Sequence, residues 1–238
     1  MKQAQLQRED GVDLPRDMAE IFTTRRSVRA FLPTPVSREQ VENILELAAR
    51  APSGTNTQPW RVYVVAGEPL ARLKARLRAA HDDPSIPIAR EYEHSPGQWF
   101  EPYLSRRRKV GWDLYGLLGI SRGERERIHE QHGRNYDLFG APVGIFCSVD
   151  RRLEKGSWMD CGMFIQSIML AARIHGLHTC PQAALTNYPS ILREELGIPE
   201  EEIALCGIAL GYEDKSAVEN GLRTEREPVE DFATFMGL

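Results

Sequence analysis

Several kinds of signature are missing from this 238-residue sequence, and each absence excludes a class of protein. No G-x-G-x-x-G follows a predicted strand and no Walker loop occurs, which excludes Rossmann and P-loop nucleotide sites. No G-x-S-x-G elbow is present, so the nucleophile of an α/β-hydrolase is absent. The start lacks the apolar core of a signal peptide, and no run approaches the length of a membrane span. We therefore expect a soluble, cytoplasmic protein with no membrane partner.

A strong excess of positive or negative charge is also absent, and so are paired cysteines. The formal net charge is -4, with 30 basic and 34 acidic residues spread along the chain, so we expect no nucleic-acid partner. The four cysteines sit among apolar neighbours without a C-x-x-C pair, which favours reduced, partly buried thiols. The "HEQH" of residues 129 to 132 is one residue short of zincin spacing and surrounded by charge. It indicates a solvated helix face, and we expect no metal site.

Hydrophobic periodicity predicts helices and strands in mixed order within a single domain. The predicted strands are "WRVYVVAG", "APVGIFCSV", "LHTCPQAA" and "EIALCGIALGY", which cover residues 60–67, 141–149, 177–184 and 202–212. The predicted helices include residues 17–22, 37–51, 69–81, 157–176 and 188–197. The helix of residues 157–176 is apolar around most of its circumference, so it is expected to run through the core.

Local signals predict where the helices begin and how the remaining chain is divided. Expected N-caps are Asp17, Ser37 in a capping box with Gln40, Ser121 with Glu124, and Ser157, and Gly176 and Gly197 are expected stops. A mobile arm is predicted for about residues 1 to 14. A helical lid insertion is predicted for about residues 82 to 136, and an extended C-terminal tail for about residues 215 to 238.

The segment "RRSVR", Arg25 to Arg29, concentrates positive charge in an acidic chain. Extended backbone would place Arg25, Ser27 and Arg29 on one face. Two guanidinium groups beside a hydroxyl suit a phosphate, because arginine binds oxyanions through two parallel hydrogen bonds. A solvated turn with surface ion pairs remains the alternative.

The uncharged run "APSGTNTQPW", Ala51 to Trp60, follows one helix later. Its neutral donors and acceptors suit the polar edge of a ring or the hydroxyls of a ligand. A plain helix-to-strand loop is the alternative, and on these residues alone it is favoured.

Taken in order, "RRSVRAF", "APSGTNTQPW", the apolar helix, "GLHTCPQAA" and a late "RTEREP" resemble the FMN-dependent nitroreductase family. The resemblance extends from Arg25 to Phe232, and the lid is its least comparable part. It implies an α+β fold in which a mixed central sheet has helices on both faces, and an intertwined homodimer with two FMN sites at the interface. It also implies an enzyme that uses NAD(P)H to reduce nitroaromatic or quinone-like acceptors in a ping-pong cycle of hydride transfer.

The resemblance also implies which residues bind the flavin. Its phosphate and ribityl chain would be held by Arg25, Arg26, Ser27, Arg223 and Arg226, with Arg29 near the pyrimidine edge as electrostatic support. Backbone N–H groups of Pro181–Ala184 (Gln182, Ala183 and Ala184; proline has none) would face N5 and O4. The partner chain would contribute Pro52, Ser53, Gly54, Thr55, Asn56 and Gln58. No side chain is expected to be catalytic, because the flavin carries the chemistry.

The lid aromatics are expected to bind the acceptor. Trp99 with Tyr103, and Trp112 with Tyr115, are spaced to share helix faces, and core packing is the alternative. Other activities on the same scaffold stay open, namely a reductive dehalogenase, a flavin-fragmenting enzyme, or a flavin-binding regulatory protein without turnover.

Overall fold

The predicted helices and strands all occur, in the predicted order, within residues 14 to 237, the part of the chain that the computed structural model describes. The helices are α1 (Met18–Thr24), α2 (Arg38–Ala48), α3 (Gly67–Asp82), α4 (Tyr103–Leu117), α5 (Arg125–Gly133), α6 (Lys155–Ile174), α7 (Pro189–Leu196) and α8 (Val229–Phe232). The strands are β1 (Trp60–Ala66), β2 (Val143–Asp150), β3 (His178–Gln182) and β4 (Glu202–Gly211). The predicted mobile arm lies almost wholly outside the described residues.

The four strands form one sheet in the order β1-β2-β4-β3, and every neighbouring pair is antiparallel. The inner strands β2 and β4 are buried along nearly their whole length, as expected for strands covered on both faces. Among the described residues, parallel pairing is confined to one bridge between Ser27 and Thr179 of β3. The predicted mixed sheet is therefore mixed only at this position.

Helices cover both faces of the sheet, as predicted. On one face, α2 and α6 share an apolar cluster with the inner strands that includes Ile44, Phe164 and Ile208. On the other face, α3 and α7 form a second cluster through Leu73 and Leu192. Complete burial of such side chains contributes about 1.5 to 3 kcal/mol each relative to exposure.

The helix boundaries agree with the predicted signals except at two serines. Asp17 caps α1, and Ser37 and Gln40 form the predicted capping box of α2. The N-cap predicted at Ser157 is wrong, because α6 begins at Lys155 and the Ser157 N–H donates to the carbonyl of Glu154 at 2.9 Å. Ser157 therefore lies inside the first turn.

The predicted lid contains α4 and α5. No residue of α4 is fully buried, so its aromatic residues do not belong to the hydrophobic core of the described chain. The N-cap predicted at Ser121 is also wrong: α5 begins at Arg125, and Ser121 donates its backbone N–H to the Glu124 carboxylate instead. Trp99 precedes α4, so it cannot share a helix face with Tyr103.

The tail is not extended throughout, because it contains a short 3-10 helix, Val218–Gly221, and the single turn of α8. It returns to the lid, where Arg106 of α4 pairs with Glu227 at 2.9 Å. No helix in the described part of the chain combines the length and hydropathy needed to cross a membrane.

Candidate functional site

The arginine segment follows α1 in extended conformation and lies against β3. The N–H of Val28 donates to the carbonyl of Thr179 at 3.1 Å, and Val28 is fully buried. Extended backbone alternates its side chains, so burial of Val28 leaves Arg25, Ser27 and Arg29 on the other side. The predicted alternation is confirmed.

Arg26 turns away from the other arginines. Its guanidinium pairs with the buried carboxylate of Glu213 and donates to the carbonyl of Asn220 at 3.0 Å. These partners engage both ends of the guanidinium. The backbone of Arg26 is then the part that can make the predicted cofactor contact.

Arg25, Arg29, Arg223 and Arg226 have no carboxylate partner among residues 14 to 237. The guanidinium of Arg29 donates to the carbonyl of Ser27 at 3.2 Å, Arg223 donates to neighbouring carbonyls, and Arg226 donates to the hydroxyl of Thr224 at 2.9 Å. Most arginines of α3 and α5 are paired with acids, so this set is distinct. Unpaired guanidinium groups at one place are suited to bind an anion.

Electrostatics places these cations near one another. The pKa of Arg25 is lowered by burial and then by the positive charge of Arg226. Burial raises the pKa of the Cys180 thiol to about 11, while the charges of Arg29 and Arg25 and a hydrogen bond from Ser27 oppose the rise. Cys180 of β3 therefore lies close to the arginine segment.

The loop after β3 offers both donors and an unsatisfied acceptor. Ala183 and Ala184 open a short 3-10 helix, where the first N–H groups have no partner inside the helix. The buried amide of Gln182 donates through Nε2 to the carbonyl of Asn135 at 2.9 Å, and its Oε1 has no hydrogen-bond partner. A buried acceptor left unpaired costs stability unless a ligand or water satisfies it. Pro181, which precedes Gln182 in β3, is half-buried.

The uncharged loop, Pro52 to Gln58, lies at the other end of the molecule. The N–H of Gly54 donates to Asp160 near the start of α6 at 3.1 Å, whereas Arg173 near the end of α6 contacts Thr24 beside the arginine segment at 3.2 Å. Thirteen residues of α-helix span about 20 Å. One chain therefore does not bring the loop and the arginines together.

Backbone geometry fixes the shape of this loop. Thr55, Asn56 and Gln58 have φ angles of 47°, 58° and 47°, a left-handed conformation that costs energy for residues other than glycine. The Ser53 hydroxyl holds the turn by accepting from the N–H of Gln58 at 3.0 Å. The loop is exposed despite this order, so its polar groups are available to another molecule.

The four predicted lid aromatics fall into two groups. Trp112 and Tyr115 contact each other with ring centroids 5.6 Å apart, as their spacing predicts. Tyr103 instead packs against Phe100, at 5.2 Å. Trp99 lies under the guanidinium of Arg107, 5.3 Å from it.

The lid and the tail line a cavity of about 760 Å³ that is open to solvent. Its walls include Tyr103, Arg106, Arg226 and Phe232. This volume lies in the range of small-molecule sites. The cavity joins one of the unpaired arginines to one of the lid aromatics.

The comparisons with known proteins agree with this geometry. The model of the nitroreductase family matches residues 22–212. The chain belongs to the nitroreductase family. It is 42% identical over 225 residues to the 4-nitrobenzoate reductase of Pseudomonas putida, covering 94% of this chain and 97% of that protein.

Two solved nitroreductases have the same fold. The FMN and NADPH-dependent nitroreductase NfnB from Sphigopyxis sp. strain HMH superposes with a TM-score of 0.89 at 36% identity, covering 93% of this chain and 100% of that one. The FMN-dependent NfnB of Mycobacterium smegmatis, in complex with NADPH, gives 0.87 at 34% identity, covering 92% and 97%. The predicted family and its fold are confirmed.

In this member of the nitroreductase family, Asn220 and Glu213 organise the site, although sequence reasoning identified neither residue. The side chain of Asn220 accepts from the N–H of Arg29 at 2.8 Å and donates to the carbonyl of Ala30 at 2.8 Å. It therefore fixes the arginine segment to the start of the tail. Glu213 neutralises Arg26. Both contacts join distant parts of the chain, and no local pattern announces them.

A group of potential metal ligands also occurs in the described residues. One ligand atom from each of His81, Asp82 and His129 lies within 4.8 Å of the others. His129 already contacts Asp82 at 2.9 Å, Arg78 donates to the same carboxylate, and the two imidazoles stack with centroids 4.2 Å apart. Parallel rings cannot direct their in-plane lone pairs at one ion, so this is a hydrogen-bonded network joining α3 to α5.

Proposed function

We propose that this protein is an FMN-dependent oxidoreductase that uses NAD(P)H to reduce nitroaromatic or quinone-like acceptors. The observation that carries the proposal is the unpaired cationic set beside β3, above all Arg25 close to Arg226. The names of its relatives support the same reaction class, since they are a 4-nitrobenzoate reductase and FMN-dependent nitroreductases.

The residues present fit FMN. Its phosphate dianion would be held by the Ser27 hydroxyl and by Arg25, Arg223 and Arg226, whose guanidinium groups lack acidic partners among the described residues. At the other end of the cofactor, the first N–H groups of the 3-10 helix Ala183–Thr186 would donate to the ring. The orphaned Oε1 of Gln182 is a buried acceptor that a polar ring edge could satisfy.

Bound FMN would supply hydride transfer, taking hydride from NAD(P)H and passing it to an acceptor that replaces the oxidised nucleotide. Arg29 would hold a fixed positive charge at the pyrimidine edge, where negative charge accumulates on reduction. Its backbone is fixed by Asn220, so this charge is pre-positioned. No side chain needs to transfer a proton for this role.

Pro52 to Gln58 would complete the site of a partner chain in a homodimer. Support comes from the separation of this loop from the arginines along α6 and from its exposed, ordered backbone. Exposed apolar side chains at the chain's end, Phe232, Phe235 and Met236, fit the same assembly, since such groups are normally covered.

Trp99, Tyr103, Trp112 and Tyr115 would form the acceptor side of the site. Their lid is joined to the proposed cofactor site at two places: Arg106 pairs with Glu227, and Asn135, which follows α5, accepts from Gln182. Flat acceptors stack on aromatic faces. We place the enzyme in the cytoplasm, where NAD(P)H is available and thiols such as the free Cys147 stay reduced.

Reconstitution tests the proposal. Protein stripped of flavin should be colourless and inactive, and adding FMN should restore one flavin per chain together with NADPH-dependent reduction of a nitroarene. Initial rates with both substrates varied should give the parallel double-reciprocal lines of a ping-pong cycle. Stoichiometric FMN binding without any such turnover would leave a flavin-binding protein and refute the enzymatic role.

A further inference from the structure

Arg107 of the lid is held in place but lacks an acidic partner among residues 14 to 237. Its guanidinium lies over the ring of Trp99, 5.3 Å from the centroid. Arg106 and Lys109 on the same helix are both paired with carboxylates of the tail, at 2.9 and 3.5 Å. A guanidinium stacked on an indole keeps its N–H edge free for a planar oxyanion.

Open space lies over one face of α4 beside Arg107. Arg107, Gly111 and Tyr115 are spaced by four residues and therefore share one helix face. A Cβ added at Gly111 would meet nothing within 4 Å. Glycine inside a helix costs about 1 kcal/mol relative to alanine, and no packing among the described residues requires it here. The Cα atoms of Arg107 and Tyr115 are about 12 Å apart along the helix, which leaves room for one substituted benzene ring.

Tyr115, at the far end of this helix face, is connected to the proposed cofactor loop. The hydroxyl of Tyr115 lies 2.9 Å from Nε2 of His132. Asn135 donates to the carbonyl of His132 at 3.0 Å and accepts from Gln182 at 2.9 Å. Burial lowers the pKa of His132, and the positive charge of Arg107 is among the further causes, so Arg107 lies on the same side of the lid.

We propose that this face of α4 binds the ring of an anionic nitroaromatic acceptor, with its carboxylate on Arg107 and its ring against Tyr115. The inference rests on the proposed function and names its substrate class. Arginine binds a carboxylate through two parallel hydrogen bonds, and the ring of Trp99 lies against the guanidinium that would form them. The absence of a side chain at Gly111 lets a flat ring approach the helix.

A pair of acceptors matched in shape tests the charge. In FMN-loaded protein, Arg107→Gln should lower kcat/KM for 4-nitrobenzoate about tenfold, mainly through KM, and change kcat/KM for 4-nitrobenzamide less than twofold. Arg107→Lys should restore part of the loss, because it keeps the charge without the planar fork. Arg108→Gln removes a neighbouring exposed charge and should leave both acceptors unchanged.

Binding without turnover separates this inference from the proposed function. Calorimetric titration of the oxidised holoprotein should show that Arg107→Gln weakens benzoate but not benzamide. Gly111→Ala should weaken both ligands while leaving the melting temperature equal or higher. If the wild-type protein bound benzoate through Arg107 but reduced no nitroarene, the proposed function would be refuted and the inference about Arg107 would stand.

Two results would overturn the carboxylate assignment. One is an equal effect of Arg107→Gln, or no effect, on the acid and the amide. The other is a changed preference between NADPH and NADH with an unchanged preference between the two acceptors, because the oxyanion on Arg107 would then be the 2′-phosphate of the nucleotide.

Discussion

Arg25 and Arg226 come from opposite ends of the described chain and lie close enough to repel each other. Burial lowers the pKa of Arg25, and the charge of Arg226 lowers it further. No carboxylate within residues 14 to 237 offsets this repulsion. Two cations held together in a half-buried place are stabilised when an anion binds between them.

Removing either cation should therefore weaken cofactor binding. We expect Arg25→Ala and Arg226→Ala each to cost about 1.5 to 3 kcal/mol, or roughly ten- to a hundredfold in FMN affinity. The double variant should lose less than the sum, because both arginines serve one phosphate. Quenching of FMN fluorescence by apoprotein measures these affinities, and Arg152→Ala, which breaks an exposed pair, is the control. If Arg226→Ala bound FMN with wild-type affinity, Arg226 would not contact the phosphate and the C-terminal tail would lie away from the cofactor.

Arg29 should affect the rate of the reaction more than the affinity for the cofactor. When Arg29→Ala is saturated with FMN, reduction by NADPH should stay at least tenfold slower than in wild type, since charge stabilisation at the ring is lost. Arg25→Ala under the same conditions should reduce at a near-normal rate, because the phosphate is remote from the ring. Rapid-mixing absorbance gives both rates. Equal rates for the two variants would exclude the assigned role of Arg29.

The uncharged loop should act on the partner's site. Gly54 is exposed, and a Cβ there meets only Asp160 Oδ2, at 3.8 Å, so the first side-chain atom of Gly54→Phe causes no clash within one chain. We nevertheless expect it to abolish FMN binding by obstructing the neighbouring protomer's cofactor. Mixed dimers of Gly54→Phe with Arg25→Ala chains should regain one intact site, and thus bind half the flavin of wild type. Absence of any recovery in purified mixed dimers would mean that each site is built by one chain.

His178 should make the fold sensitive to acid. Arg173 donates to its Nε2 at 2.9 Å and occupies the lone pair, so the ring is neutral although Glu213 lies 3.4 Å from the same nitrogen. Burial, followed by the charge of Arg173, lowers the pKa of His178 to about 3. An unfolded histidine binds its proton near pH 6.5. The contribution of neutral His178 to the free energy of unfolding is therefore complete above pH 6.5 and is lost as the pH falls toward 3.

The matched variant for this prediction is His178→Asn, whose carbonyl can accept from Arg173 but cannot titrate. Between pH 6.5 and 4, the unfolding free energy of wild type should fall more steeply than that of the variant by up to about 1.4 kcal/mol per pH unit. Urea denaturation at several pH values measures both slopes. Parallel pH profiles would show that His178 is protonated in the folded protein.

Most helices and strands of the sheet and its covering layers were predictable because they carry their own periodic signals. The alternation in β1 and the apolar circumference of α6 both report burial, and burial is what the sheet and its helices provide. The starts of α5 and α6 were predicted wrongly at Ser121 and Ser157. Serine is a frequent cap, but the preceding turn decides where the backbone becomes helical.

The site was predictable only where its residues stand together in the sequence. Arg25, Ser27 and Arg29 follow from two-residue alternation. The role of Asn220 depends on contacts with a segment far away in the chain, so no local pattern marks it. Pairing of Arg26 with Glu213 is hidden for the same reason.

An anaerobic spectroscopic titration tests the central claim most directly. NADPH added to the purified yellow protein should bleach the flavin absorbance at one equivalent per site. Adding a nitroarene after removal of the nucleotide should restore the absorbance and release the hydroxylamine. Two reduced flavins should be consumed per nitro group, because this reduction takes four electrons and each flavin supplies two. Absorbance that does not bleach with either NADPH or NADH, or that bleaches and is not restored by any nitroarene or quinone, would contradict the account.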